Sequence, residues 1–179
     1  MPIPFRNLRN EDGLGLAGYL RLITEEKGRG IRGALFLVNA RGEPVDFAFS
    51  RIDVPVSFLW RTGEAKRNAV ASLVAALFQA CPKVPSLLLA RSAEVYPLLF
   101  TEDLVLEVPI CRVADGAEAA PAISEASETL SNAIHLFWVG QPPEEGSPAR
   151  RLLDALQSRQ IITEPFQRAA LGIEEAFRE

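Results

Sequence analysis

The sequence predicts an α/β domain with a mixed sheet: an N-terminal three-stranded antiparallel meander followed by alternating helices and strands. Three observations carry this. Apolar segments at 16–24, 31–40 and 45–52 are separated by short gaps rich in Gly, Pro and charge. Val70, Leu73, Val74, Leu77, Phe78 and Cys81 recur at steps of three and four, the spacing of one helical face. After Pro82, short apolar runs alternate with helical patterns, the order in which crossovers join parallel strands.

The meander rests on its corners. Glu25 to Gly30 and Arg41 to Pro44 carry the glycines and proline that supply the backbone angles of tight turns. Ala34 to Val38 is apolar throughout, which predicts a central strand covered on both faces. The third segment alternates Val45, Phe47 and Phe49 with Asp46, Ala48 and Ser50, which predicts one buried face. Asp53 to Arg61 is apolar but broken by Pro55, and reads as an irregular or edge segment. The long helix runs from about Glu64 to Cys81, with Thr62 or Gly63 before it as a cap and Pro82 as its stop.

Beyond it, 86–90 reads as a short buried strand, 93–100 as a short helix and 104–113 as another strand. The composition changes over 115–126, which reads as a flexible acidic loop with a short helix re-forming near 124–131. Residues 134–139 form a last strand. The segment 148–179 reads as helical, with Leu152, Leu153 and Leu156 on one helix and Phe166, Ala170, Ile173 and Phe177 on the next. Together, 1–179 form a single domain.

Composition narrows the function classes. A chain of 179 residues, 48% hydrophobic and with net charge −4, is long and apolar enough to bury a core, which excludes wholesale disorder. An excess of acids is the reverse of what a dedicated duplex-DNA binder shows, because such proteins neutralise phosphates. The basic residues are nearly all arginine: Lys27, Lys66 and Lys83 are the only lysines. No apolar run has the length of a signal peptide or membrane span, so a cytoplasmic location is expected, with no membrane partner.

Motifs give little chemistry. Gly13-Leu-Gly-Leu-Ala-Gly18 matches G-x-G-x-x-G, but polar residues precede it and a strand pattern follows, so it reads as a lead into an edge strand. His135 is the single histidine, which rules out two-histidine metal sites within one chain and favours a structural role. Cys81 and Cys111 match no zinc or redox spacing and read as reduced buried thiols, with a disulfide left open. No metal site and no cofactor is expected.

Three strands, a long helix, a strand, a helix and a strand, over residues 16–113, resembles the ribonuclease H-like fold. That resemblance implies two-metal hydrolysis, with an acid inside the first strand, one on the long helix and one at the end of the fourth strand. The sequence offers Arg21 and Leu22, then Glu64 only at the helix start, then Arg91. Glu25, Glu64 and Glu94 are the nearest substitutes, and none is placed as the pattern requires. The resemblance therefore implies a catalytically silent member.

The leading expectation is a non-catalytic protein-interaction or scaffold module, docking on a protein partner or on itself. Its candidate contact residues are the aromatics Phe58 and Trp60 and the C-terminal pair Phe166 and Phe177. One alternative is a domain binding a small anionic ligand, or an enzyme, with its site at Arg51, Arg61 and Glu64 near Asp53, since helix starts attract anions. The other is a degenerate, nucleic-acid-associated ribonuclease H-like domain. Nucleic acid ranks behind protein as the expected partner.

Overall fold

The computed structural model describes residues 13–56, 58–61, 63–116, 126–130 and 133–178. Among these residues seven strands form one sheet: β1 (Ala17–Thr24), β2 (Gly30–Val38), β3 (Pro44–Asp53), β4 (Leu87–Arg91), β5 (Ile110–Asp115), β6 (Ala126–Leu130) and β7 (Ile134–Val139). Their order is β3-β2-β1-β4-β5-β7-β6. The meander β1–β2–β3 is antiparallel as predicted, and β4 and β5 run parallel to β1. The helices are α1 (Glu64–Ala80), α2 (Pro148–Ser158) and α3 (Glu164–Ala176).

The sheet divides the core in two because side chains alternate across each strand. Leu20, Leu22, Leu35, Leu88 and Ala90 meet Val70, Leu73 and Leu77 of α1 on one face. Tyr19, Leu87, Leu89, Cys111 and Trp138 meet α2 and α3 on the other. Residues 34–38 are buried on both faces, as their unbroken apolar run requires. Cys81 and Cys111 are in no disulfide and lie in the two separate cores, so the sheet stands between them and they do not pair.

Several local expectations change. The strand β3 is an edge: Ala48 is buried on the α1 face and Phe49 is exposed, so the alternation does not mark one buried face. Residues 93–100 hold a turn and a 3-10 turn over Pro97–Phe100 instead of a helix, because Pro97 starts a new segment there. The following strand begins at Ile110, not at 104. Residues 126–130 pair with β7 as a polar edge strand where a helix was expected. Gly18 lies inside β1, which is central and not an edge, so the glycine run starts no dinucleotide-binding helix. Most of the acidic segment 115–126, like Thr62, lies outside the described residues. Among the described residues no helix is long and apolar enough to cross a membrane.

His135 lies on β7, its Nδ1 3.0 Å from Thr129 Oγ1 and its ring stacked with Phe137 at 6.5 Å. The Thr129 contact adds to the backbone ladder that joins β6 to β7.

Candidate nucleic-acid interface

Parallel strands end together, and their carboxyl ends leave a crevice where the strand order reverses. Here that place is the seam between β1 and β4. Ladder pairing stops at Leu20 and Ala90, so the chains separate at Arg21 and Arg91. Glu94, in the turn after β4, fills the opening: it accepts a 2.9 Å hydrogen bond from the Leu22 N–H and lies 3.1 Å from Arg21 Nε. Arg91 Nε is 4.0 Å from the same carboxylate. Burial pushes the Glu94 carboxyl above its ordinary range, against the pull of the Leu22 N–H and the two arginines. Burial likewise lowers Arg21, ahead of the opposing effect of Glu94. For both partners, loss of hydration outweighs their mutual attraction.

Two clefts flank this plug. The larger, about 530 Å³, lies between the first turn of α1 and the turn at 92–97, and includes Gly63, Lys66, Ser92, Tyr96 and Arg112 in its walls. The smaller, about 310 Å³, is bounded by Arg21 to Thr24, Lys66 and Glu94. Lys66 stands at the border of both, exposed and without an ion pair among the described residues.

Arg112 is a cation inside an apolar strand and is 4% exposed. It reaches the turn after β4, donating to the carbonyls of Val95 (3.1 Å) and Ser92 (3.2 Å). Beside it, Arg67 is clamped by Asp103 (2.6 Å) and Glu102 (2.7 Å), and its guanidinium lies 5.6 Å from the Tyr96 ring centroid. The Asp103 carboxylate, held below its usual range mainly by Arg67, also accepts from the Tyr96 hydroxyl at 2.6 Å. This network fixes the far wall of the larger cleft.

The residues singled out in the sequence are dispersed. Arg51 lies across the meander, with Nε 2.7 Å from Glu25 and Nη1 2.7 Å from Asp53, while Arg32 shares Glu25 at 2.8 Å. These two arginines, Arg51 first, hold the Glu25 carboxyl down at about 2. Arg61 is exposed and lines neither cleft; Glu64 borders a separate depression with Trp60, Arg67 and Asp103. Glu25 and Asp53 take up Arg51, and none of Arg51, Arg61 and Glu64 lines either cleft.

The aromatics also split. Phe166 is 2% exposed and packs edge-on against Tyr19 at 4.9 Å, so it is core and offers no docking surface. Phe177 covers the edge strand, 5.7 Å from the Phe49 ring and beneath the Arg32 guanidinium at 5.0 Å. Phe58, at 98% exposure, and the partly exposed Trp60 stand out from the segment that leads into α1, Trp60 bordering the same depression as Glu64.

Sequence reasoning passed over Lys66, Ser92 and Arg112. For Arg112 a signal existed: one arginine within Ile110 to Ala114 has to be buried with partners.

The ribonuclease H-like resemblance implies divalent cations held by carboxylates. The donor set does not fit them. Arg21 and Arg91 stand at the β1 and β4 positions, Glu94 is the sole carboxylate in the walls of the two clefts among the described residues, and it already serves Arg21 and the Leu22 N–H. Among the described residues no group of three or more His, Cys, Asp and Glu is placed to hold a metal ion.

Comparison with known proteins locates the fold. No protein-family profile and no curated protein sequence matches the chain. Among solved structures, the endonuclease V of Streptomyces avermitilis is similar at a TM-score of 0.59 and 15% identity, covering 92% of this chain and 82% of that one. Endonuclease V of Bacillus subtilis gives 0.46 and 12%, over 87% and 85% of the two chains. The Argonaute of Marinitoga piezophila, solved with guide RNA and target DNA, gives 0.41 and 6%, over 85% of this chain and 27% of that one. The Streptomyces likeness is one of fold, and it supports the ribonuclease H-like resemblance. It overturns the leading expectation of a protein-interaction or scaffold module, since the fold matched over 92% of this chain is that of an endonuclease V. A protein partner has no support.

Proposed function

We propose that this chain is a ribonuclease H-like domain that binds nucleic acid through the basic clefts at the carboxyl ends of β1, β4 and β5. One observation carries the reading: where the fold pattern calls for carboxylates, the chain has Arg21 and Arg91, with Lys66 and Arg112 beside them. Such a site attracts phosphates and repels divalent cations. The overall charge of −4 does not oppose this, because a local group of cations sets the field at its own site whatever the net charge. Phe58 and Trp60 complete the interface as surfaces on which unpaired bases stack, a sequence-tolerant contact.

The test is fluorescence anisotropy with labelled single-stranded and duplex DNA and RNA in EDTA, at several salt concentrations. Three neutralised phosphates should weaken single-strand binding roughly 20-fold between about 50 and 200 mM salt. Lys66→Glu combined with Arg91→Glu should reduce affinity further and flatten the salt dependence. Absence of binding, or binding indifferent to both salt and these substitutions, refutes the reading. A parallel cleavage assay with and without Mg²⁺ should show intact strands in both.

A further inference from the structure

We infer that the larger cleft seats one phosphate group, held by Lys66, the Ser92 hydroxyl and the first turn of α1, in the place where the fold pattern would hold cations. Two independent observations converge there. The 17-residue helix α1 opens at Gly63 in the left-handed region (φ 86°), with no side-chain cap, and Gly63, Lys66 and Arg67 face the cleft. A helix start presents outward-pointing N–H groups and the positive end of its dipole.

The second observation is Ser92, which is 7% exposed and lies in the opposite wall. Its backbone is fully engaged: the N–H donates to Val113 and the carbonyl accepts from Arg112. Its Oγ, by contrast, is buried with no hydrogen-bond partner among the described residues. Buried hydroxyls are normally satisfied, so one left over in a cleft wall points to an acceptor that arrives from outside. A phosphate oxygen is such an acceptor. Lys66 supplies a mobile charge on the open side, and the Arg112 guanidinium adds fixed positive charge beneath. Glu94 shares the cleft, but its carboxylate is committed to Arg21 and the Leu22 N–H on the β1 side.

The proposal depends on the nucleic-acid reading only for the identity of the phosphate's carrier, either a strand end or the backbone. The experiment titrates the full chain in EDTA with inorganic phosphate, by calorimetry, against chloride at matched ionic strength. It is repeated with Ser92→Ala and Lys66→Gln, each verified as folded by thermal melting. Saturable phosphate binding, weakened about tenfold by each substitution, is expected, the change that one charge-assisted hydrogen bond supplies. Tighter binding of a 5′-phosphorylated than a 5′-hydroxyl oligonucleotide assigns the group to a strand end. Equal affinities, both competed by phosphate, assign it to the backbone. Phosphate no better than chloride, or variants binding it like the wild type, overturns the site, even if oligonucleotides bind elsewhere. Phosphate binding without oligonucleotide binding upholds the site and refutes the nucleic-acid reading alone.

Discussion

Replacing Arg21 by Met removes the cation nearest to Glu94 while keeping a long apolar stem in β1. Glu94 would then retain the Leu22 N–H at 2.9 Å and the distant Arg91 at 4.0 Å. Removing one partner of a fully buried pair costs about 3–5 kcal/mol, because the other charge is left uncompensated. Here the side chains are 14% and 16% exposed and two other partners remain. The Arg21 Nε–H is also not directed along a hydrogen bond despite its 3.1 Å separation. These facts bring the expected cost to about 2 kcal/mol. For a chain of this size that corresponds to a fall of roughly 4–8 °C in Tm.

Glu94→Gln should cost less, about 1 kcal/mol, since the amide oxygen still accepts from Leu22 and Arg21 can reach water. The double variant should lie within about 1 kcal/mol of wild type, because no charge is then left unpaired. The pH dependence provides a separate check. A carboxyl raised on folding adds stability that is complete below its unfolded value, here 4.5, and lost as pH rises through its folded value. Arg21→Met raises Glu94 further, so its cost should shrink as pH falls towards 4.5. Urea unfolding of the four proteins from pH 4.5 to 8 measures all of this. Additive single substitutions, or a cost for Arg21→Met that does not vary with pH, would refute the reasoning.

Other outcomes follow from the same geometry. A Cβ at Gly172 would come 2.6 Å from the Phe47 ring, so Gly172→Ala should destabilise by about 1–3 kcal/mol and Phe47→Leu should restore most of it, read by denaturant midpoint. Glu25, held at about 2, should contribute stability above 4.5 that is lost as pH falls towards 2; the acid limb of the melting curve should flatten in Glu25→Gln. Phe58→Ala should leave Tm unchanged while weakening single-strand binding by about 1–3 kcal/mol, read by anisotropy. Phe166→Ala, by contrast, should cost about 3–5 kcal/mol in stability, since it opens the core beneath Tyr19.

What could be read in advance divides along physical lines. The helix α1 and the strand β2 show in the sequence because one hydrophobic period, or one unbroken apolar run, dominates each. The strand β6 does not: Ala-Ser-Glu-Thr-Leu has little strand character and gains its form from the neighbouring β7 ladder. Tertiary context likewise decides the turn at 92–97, where the β1–β4 seam holds Glu94 in place. Arg21, Arg91 and Glu94 were visible as residues out of keeping with a metal site. Their meeting was not, because it depends on the parallel register that sets Leu20 beside Ala90. Lys66 and Ser92 give no signal at all in one dimension; a lysine on a helix and a serine after a strand are ordinary until a cleft joins them.

The position of β1 also sets an order of events in folding. Its ladder with β2 joins near neighbours, Thr24 to Ile31, whereas its ladder with β4 joins Ala17 to Leu87. Closing the longer loop costs more chain entropy and waits on α1, so the meander is the natural nucleus and the β1–β4 seam a late arrival. The smaller cleft straddles that late seam, and the larger needs the turn that follows β4. A chain with its first three strands in place would already hold much of the core around β2, yet no interface would exist until the fourth strand docked. The same asymmetry holds in reverse: an opening confined to the seam would disperse Lys66, Ser92 and Glu94 while the hairpins stayed protected from hydrogen exchange.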